Sequence, residues 1–70
     1  MRILGIDPGY AIVGYGIIEY ELGKLRPLDY GAVETPAKLS TPERLLMIEK
    51  NITQMIKEVE PDEIAIEELF

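Results

Sequence analysis

Two short apolar runs, Ile3 to Ile6 and Ile64 to Ile66, each end in a carboxylate, Asp7 and Glu67. The first run, from Arg2 to Asp7, reads as a compact strand stopped by Pro8-Gly9, a pair that favours a turn. Ile12 to Tyr20 then predicts a second strand returning beside the first, and Gly23 marks the next turn. A third strand, Leu25 to Thr35, contains Pro27; a residue with no N–H to give a ladder belongs at a sheet edge. Pro36 ends it.

The pattern then changes period. Ser40-Thr41-Pro42-Glu43 offers a hydroxyl cap, a proline suited to a first helical turn and a glutamate where the helix dipole favours negative charge. Leu45, Ile48, Ile52, Met55, Ile56 and Val59 recur at helical spacing, while Glu49, Lys50, Lys57 and Glu58 fall elsewhere on the wheel. A single apolar stripe is what a sheet face demands, so this helix packs on the sheet in preference to a membrane or a partner. Pro61 stops it before a fourth strand, Glu63 to Glu67. The chain shows no internal repeat, low-complexity tract or linker.

Parity turns these elements into a topology. Strand one runs up, two down, three up, the helix down and four up, so strands one and four are parallel and Asp7 and Glu67 share an edge. Strands one and four read as apolar throughout, like central strands covered on both faces, and the crossover through the helix is right-handed. The expected order is 3-2-1-4 in a mixed α/β sheet, with Asp7 beside Glu67.

Composition narrows the chemistry. There is no cysteine to form a disulfide and no histidine for acid–base or ligand work, which leaves carboxylates as the available metal ligands. The absence of cysteine fits a cytosolic protein. Asp7-Pro8-Gly9 interrupts the N-terminal run too early for a signal peptide or a membrane span, and the chain is expected to be soluble, unexported and cytoplasmic. Thirteen acidic and seven basic residues give a net charge of −6, which taken alone argues against an electrostatic nucleic-acid binder. Seventy residues suffice for one small domain with a modest core, and an apolar run beside the last residue, Phe70, reads as the front half of a longer fold.

Two carboxylates about 4 Å apart would repel by about 4 kcal/mol at an effective dielectric near 20, so such a pair needs a proton, a basic neighbour or a cation. No basic residue in the adjacent sequence answers. Hard oxygen ligands suit Mg²⁺, with Mn²⁺ as a substitute, and suit zinc poorly. The carboxyl ends of strands are also where ligands gather in open α/β sheets, and a metal held there is suited to cleaving phosphate esters. Each residue has a plainer reading too. Aspartate before Pro-Gly is a common turn former, Glu67 and Glu68 read equally as a solvated strand end, and Phe70 as core. Gly14 and Gly16 read as places of close backbone approach in preference to a phosphate cradle, because no helix follows them.

Ile3-Leu4-Gly5-Ile6-Asp7-Pro8-Gly9, then Gly14-Tyr15-Gly16, then Ala65-Ile66-Glu67-Glu68-Leu69-Phe70 together resemble the N-terminal part of the RuvC family of Holliday junction resolvases. The resemblance runs through all 70 residues as one N-terminal part of a single nuclease domain, a little under half of the family's usual length. It implies a ribonuclease-H-like fold, in agreement with the 3-2-1-4 order. It also implies a Mg²⁺-dependent endonuclease that works as a homodimer, makes paired nicks in a four-way DNA junction and engages branch-migration helicase partners. On the family pattern Asp7 and Glu67 are catalytic metal ligands, with further acidic ligands near the family's C-terminus. Phe70 matches an aromatic residue that engages junction DNA, for which stacking on an unpaired base is a reasonable role. Basic contacts and the dimer interface belong to the family's later helices, so the −6 charge does not contradict DNA binding by a full-length protein.

Two other classes compete. An actin-like ATPase or sugar kinase also places Asp-x-Gly in its first hairpin, but usually with a small hydroxyl residue just after the glycine, where Tyr10 and Ala11 stand here. The third reading is a non-catalytic fragment that binds neither metal nor nucleotide.

Overall fold

The computed structural model describes residues 1–9 and 12–66. In chain order the elements are β1 (Arg2–Asp7), β2 (Ile12–Glu21), β3 (Lys24–Glu34), α1 (Thr41–Val59) and β4 (Glu63–Ile66). They form one four-stranded sheet in the order β3-β2-β1-β4, antiparallel across β2/β3 and β1/β2 and parallel across β1/β4. The expected topology holds, and β3 with its Pro27 lies at the edge.

Strand alternation sends Leu4 and Ile6 of β1, with Val13 and Ile17 of β2, to one face, and these four residues are the buried core. Leu4 is fully excluded from solvent and sits across from Ile17 in the β1/β2 ladder. Burying a side chain of that size contributes about 1.5–3 kcal/mol. The stripe of α1 formed by Ile48, Ile52, Met55, Ile56 and Val59 packs over this cluster, joined by Tyr15 and Val33 from the sheet.

Local chemistry accounts for where the elements start and stop. Leu22 and Gly23 form a two-residue connection with φ of 52° and 75° between the paired residues Glu21 and Lys24, the positive-φ geometry that matches strand twist in a hairpin. Between Ile17 and Ile18 the β2/β3 register shifts, so that Ile17 faces Asp29 while Ile18 faces Pro27 and Leu28 is the extra residue of a bulge. Ser40 is the N-cap of α1: its hydroxyl accepts from the Glu43 N–H and the Glu43 carboxylate accepts from the Ser40 N–H, a reciprocal capping box. The helix ends at Glu60, whose φ of 50° places it in the left-handed region with its N–H donating to the Ile56 carbonyl at 2.9 Å. Pro61 follows, as expected for a helix stop.

Three features depart from expectation. Leu45, expected on the core-facing stripe, is 62% exposed, while the neighbouring Arg44 is buried. The Arg44 guanidinium donates to Thr35 Oγ1 at 2.9 Å, to the Ala37 carbonyl at 2.9 Å and to the Leu39 carbonyl at 3.3 Å, which ties the β3–α1 connection to the first turns of the helix. β4, expected to be covered on both faces, is exposed along its length, with Ile66 67% exposed. A helix about 10 Å across covers about two strands spaced 4.8 Å apart. Here those strands are β1 and β2. Among the described residues no helix is long and apolar enough to cross a membrane.

Candidate functional site

Asp7 ends β1, a central strand, and is exposed one residue beyond the buried Ile6. Strand parity puts Asp7 with Gly5 and Ile3 on the sheet face away from α1, because Leu4 and Ile6 occupy the helix side. Its ladder partner on β2 is Gly14, where an added Cβ would stand 3.7 Å from the Asp7 Cβ, an ordinary contact. At Gly16 an added Cβ would meet nothing within 4 Å. Among the described residues, then, neither glycine is needed for close backbone approach. Their effect is to leave the sheet surface beside Asp7 bare.

That bare surface is an open depression of about 340 Å³, lined among others by Gly5, Asp7, Gly14, Gly16, Ile18 and Ala65. The close-approach glycine is Gly31 on β3: a Cβ there would lie 2.7 Å from Tyr15 Oη and 2.9 Å from Tyr15 Cζ, because the Tyr15 ring crosses over it. No pattern in the sequence marks Gly31, since the constraint comes from a partner on another strand.

β4 runs parallel to β1 on the other side, and its register pairs Ile3 with Glu63, Leu4 with Ile64, Gly5 with Ala65 and Ile6 with Ile66. The last of these pairs is adjacent in sequence to both predicted ligands. Glu67 and Phe70 themselves lie outside the described residues, as do Tyr10 and Ala11. Among the described residues no cluster of three or more acidic, histidine or cysteine side chains could hold a metal. The ion pairs there join Glu19 to Arg2 and to the amino terminus, at the opposite end of the sheet from Asp7. What the described part contributes to a metal centre is one hard carboxylate at a solvent-open strand end, a donor type that fits Mg²⁺ or Mn²⁺.

The opposite end of the β1/β4 pair carries a contact that sequence reasoning did not find. The Asp62 N–H donates to the Arg2 carbonyl at 2.8 Å, and the Arg2 N–H donates to Asp62 Oδ2 at 2.7 Å. The Arg2 guanidinium in turn donates to the Val59 carbonyl at 2.8 Å, joining the end of α1 to the start of both strands. An aspartate directly after a helix-stopping proline was the available signal.

A 3-2-1-4 mixed sheet whose first central strand ends in an exposed aspartate, with an α1 crossover into a parallel neighbour, defines a ribonuclease-H-like fold. The family model for the crossover junction endodeoxyribonuclease RuvC matches residues 3–70. The chain belongs to that family. It is 57% identical over 70 residues to the crossover junction endodeoxyribonuclease RuvC of Alkaliphilus oremlandii, covering 100% of this chain and 43% of that protein. Among solved structures, T. thermophilus RuvC in complex with Holliday junction substrate superimposes with a TM-score of 0.87 at 30% identity, covering 100% of this chain and 45% of that one. A PPX-GPPA enzyme of Aquifex aeolicus shares the fold, with a TM-score of 0.74 at 20% identity over 97% of this chain and 26% of that one. The chain thus spans less than half the length of the RuvC relatives it matches.

Proposed function

We propose that this chain is the N-terminal part of a metal-dependent endonuclease that resolves four-way DNA junctions by paired nicks, in recombination and repair. Asp7 and Glu67 are its first two metal ligands, and the cation is Mg²⁺, replaceable by Mn²⁺. The observation that carries the reading is the register of β4 on β1. Continued by one residue beyond the Ile6–Ile66 pair, it would set Glu67 opposite Asp7 at the carboxyl end of two parallel strands. At that spacing the two carboxylates need a cation between them. When bound, the cation orients the attacking water and stabilises the leaving oxygen of the phosphodiester.

The chain's own residues have the complementary tasks. Asp7 and Glu67 hold the cation through hard oxygens, and the rest of the full-length protein supplies further ligands. The bare floor of Gly5, Gly14 and Gly16 lets a sugar–phosphate backbone come down to the Asp7 carboxylate without meeting a side chain. Phe70, three residues beyond Glu67, stacks on an unpaired base at the junction. The working protein is a cytoplasmic homodimer supplied with junctions by a branch-migration helicase.

The test uses full-length protein. Asp7→Asn should abolish Mg²⁺-dependent cleavage of a synthetic junction while leaving gel-shift affinity in the absence of metal close to native, since it removes a ligand and no basic contact. Near-native cutting would return Asp7 to the role of turn former. ATP binding measured on the same preparation addresses the kinase-like alternative, and a failure to bind both metal and nucleotide would establish the non-catalytic one.

A further inference from the structure

The Arg2–Asp62 contact bears directly on where Glu67 comes to lie. Arg2 and Asp62 are 60 positions apart. The same offset runs through every β1/β4 pair from Ile3–Glu63 to Ile6–Ile66. Asp7 and Glu67 share it too. The two acidic positions of the pair's upper end are therefore in step with a reciprocal hydrogen-bonded contact at its lower end.

That contact does what the ladder cannot do there. In a continued parallel ladder the Arg2 N–H would donate to the carbonyl of Glu60, but Glu60 is the left-handed cap of α1, with φ of 50°, and the chain has not yet entered β4. The Asp62 carboxylate takes the N–H instead, and the Asp62 N–H begins the ladder by donating to the Arg2 carbonyl. Arg2 is itself anchored through its guanidinium to the Val59 carbonyl, with Nε 3.5 Å from Glu19 Oε2. By contrast β4 has four residues, all exposed, so side-chain burial specifies its register weakly.

We propose that Asp62 is a positioning residue for the metal centre, holding β4 in the register on β1 that brings Glu67 beside Asp7. The inference rests on the reading of Asp7 and Glu67 given above. A slip of two residues, the smallest that keeps Ile64 and Ile66 on the same face, would move β4 by about 6.6 Å. No cation with oxygen ligands at about 2.1 Å bridges carboxylates displaced so far.

The experiment takes full-length protein carrying Asp62→Ala, Asp62→Glu or Asp62→Asn, with Asp7→Asn as reference. Mn²⁺ affinity is read by calorimetry, alongside the Mg²⁺ concentration for half-maximal junction cleavage and gel-shift affinity without metal. Asp62→Ala and Asp62→Glu should weaken metal binding and raise the Mg²⁺ requirement about tenfold, the size of effect seen when a supporting contact of a metal ligand is lost. Metal-free junction binding should stay native. Asp62→Asn should remain within about twofold of native, because its amide oxygen accepts the same bond. If Asp62→Ala does not fold, the contrast between Asp62→Glu and Asp62→Asn decides. Native metal affinity in folded Asp62→Ala or Asp62→Glu, with Asp7→Asn still defective, overturns the role of Asp62 alone. Native metal affinity in Asp7→Asn overturns the site on which it rests.

Discussion

Gly31→Ala should destabilise this chain, and only while Tyr15 is present. The two residues are ladder partners on β2 and β3, and a methyl group at position 31 would stand 2.7, 2.9 and 3.1 Å from Oη, Cζ and Cε1 of the Tyr15 ring. Overpacking of that kind costs about 1–3 kcal/mol. Replacing glycine by alanine where the backbone permits it returns about 0.4–1 kcal/mol, by reducing the freedom of the unfolded chain. The atoms in contact belong to the far end of a ring that can tilt, which puts the cost in the lower half of its range and the net loss near about 1 kcal/mol. In a Tyr15→Val background the clash is gone and only the gain remains, so the coupling energy should be about 1.5 kcal/mol. Urea unfolding of the four proteins of the cycle measures it. In the same experiment Gly16→Ala, whose Cβ meets nothing within 4 Å, should raise the midpoint in both backgrounds. If Gly31→Ala raises the midpoint equally with and without Tyr15, the ring does not constrain Gly31 and the reasoning fails.

Other expected outcomes concern a turn, a loop and the isolated chain. Leu22 holds φ of 52° with its side chain 97% exposed, so Leu22→Asn should stabilise by about 1 kcal/mol through relief of left-handed strain, read as a higher melting temperature; an unchanged value would refute it. Arg44→Met should cost about 2–3 kcal/mol, because it leaves buried acceptors on Thr35 and Ala37 without their donor, and should speed proteolysis between residues 35 and 39; Arg44→Lys should recover part of the loss. The purified 70-residue chain should not nick a synthetic junction in Mg²⁺, since its described residues hold no three-ligand acidic cluster, and a nick free of contaminating nuclease would overturn that.

How far the fold could be read from sequence depended on whether each constraint was local. Pro27, Ser40, Pro42 and Pro61 act on their own stretch of backbone, and each marked its edge, cap or stop as found. Direction along the chain follows from counting elements, which is why the parallel β1/β4 pair and the 3-2-1-4 order emerged before any coordinates. The misses all involve a partner far away in sequence. Arg44 reads as a solvent-facing residue of a first helical turn until the Thr35–Leu39 connection folds back over it, which also turns Leu45 outward. Ile64 and Ile66 read as core because an apolar run cannot say whether a covering layer reaches it, and α1 stops short of β4. For the site, Asp7 was legible from its place at the end of an apolar run, whereas the Arg2–Asp62 contact was not, because neither residue shows a pattern by itself.

The charge of this chain then has a structural explanation compatible with action on DNA. Of its seven basic residues, Arg2 is committed to Val59 and Glu19, and Arg44 to the β3–α1 connection. Lys24 and Arg26 lie near the tip of the β2/β3 hairpin, and Lys50 and Lys57 lie on α1, across the sheet from the depression beside Asp7. None of them lines that depression. A phosphate approaching Asp7 therefore meets a carboxylate on a bare sheet, and without a counter-charge the two repel. A cation held at this edge reverses the sign of the local field, so that one ion both relieves the carboxylates and attracts the phosphate they would otherwise exclude. On this view the acidic edge makes recognition of the scissile phosphate conditional on metal, while affinity for the junction as a whole resides in basic contacts elsewhere in the full-length protein.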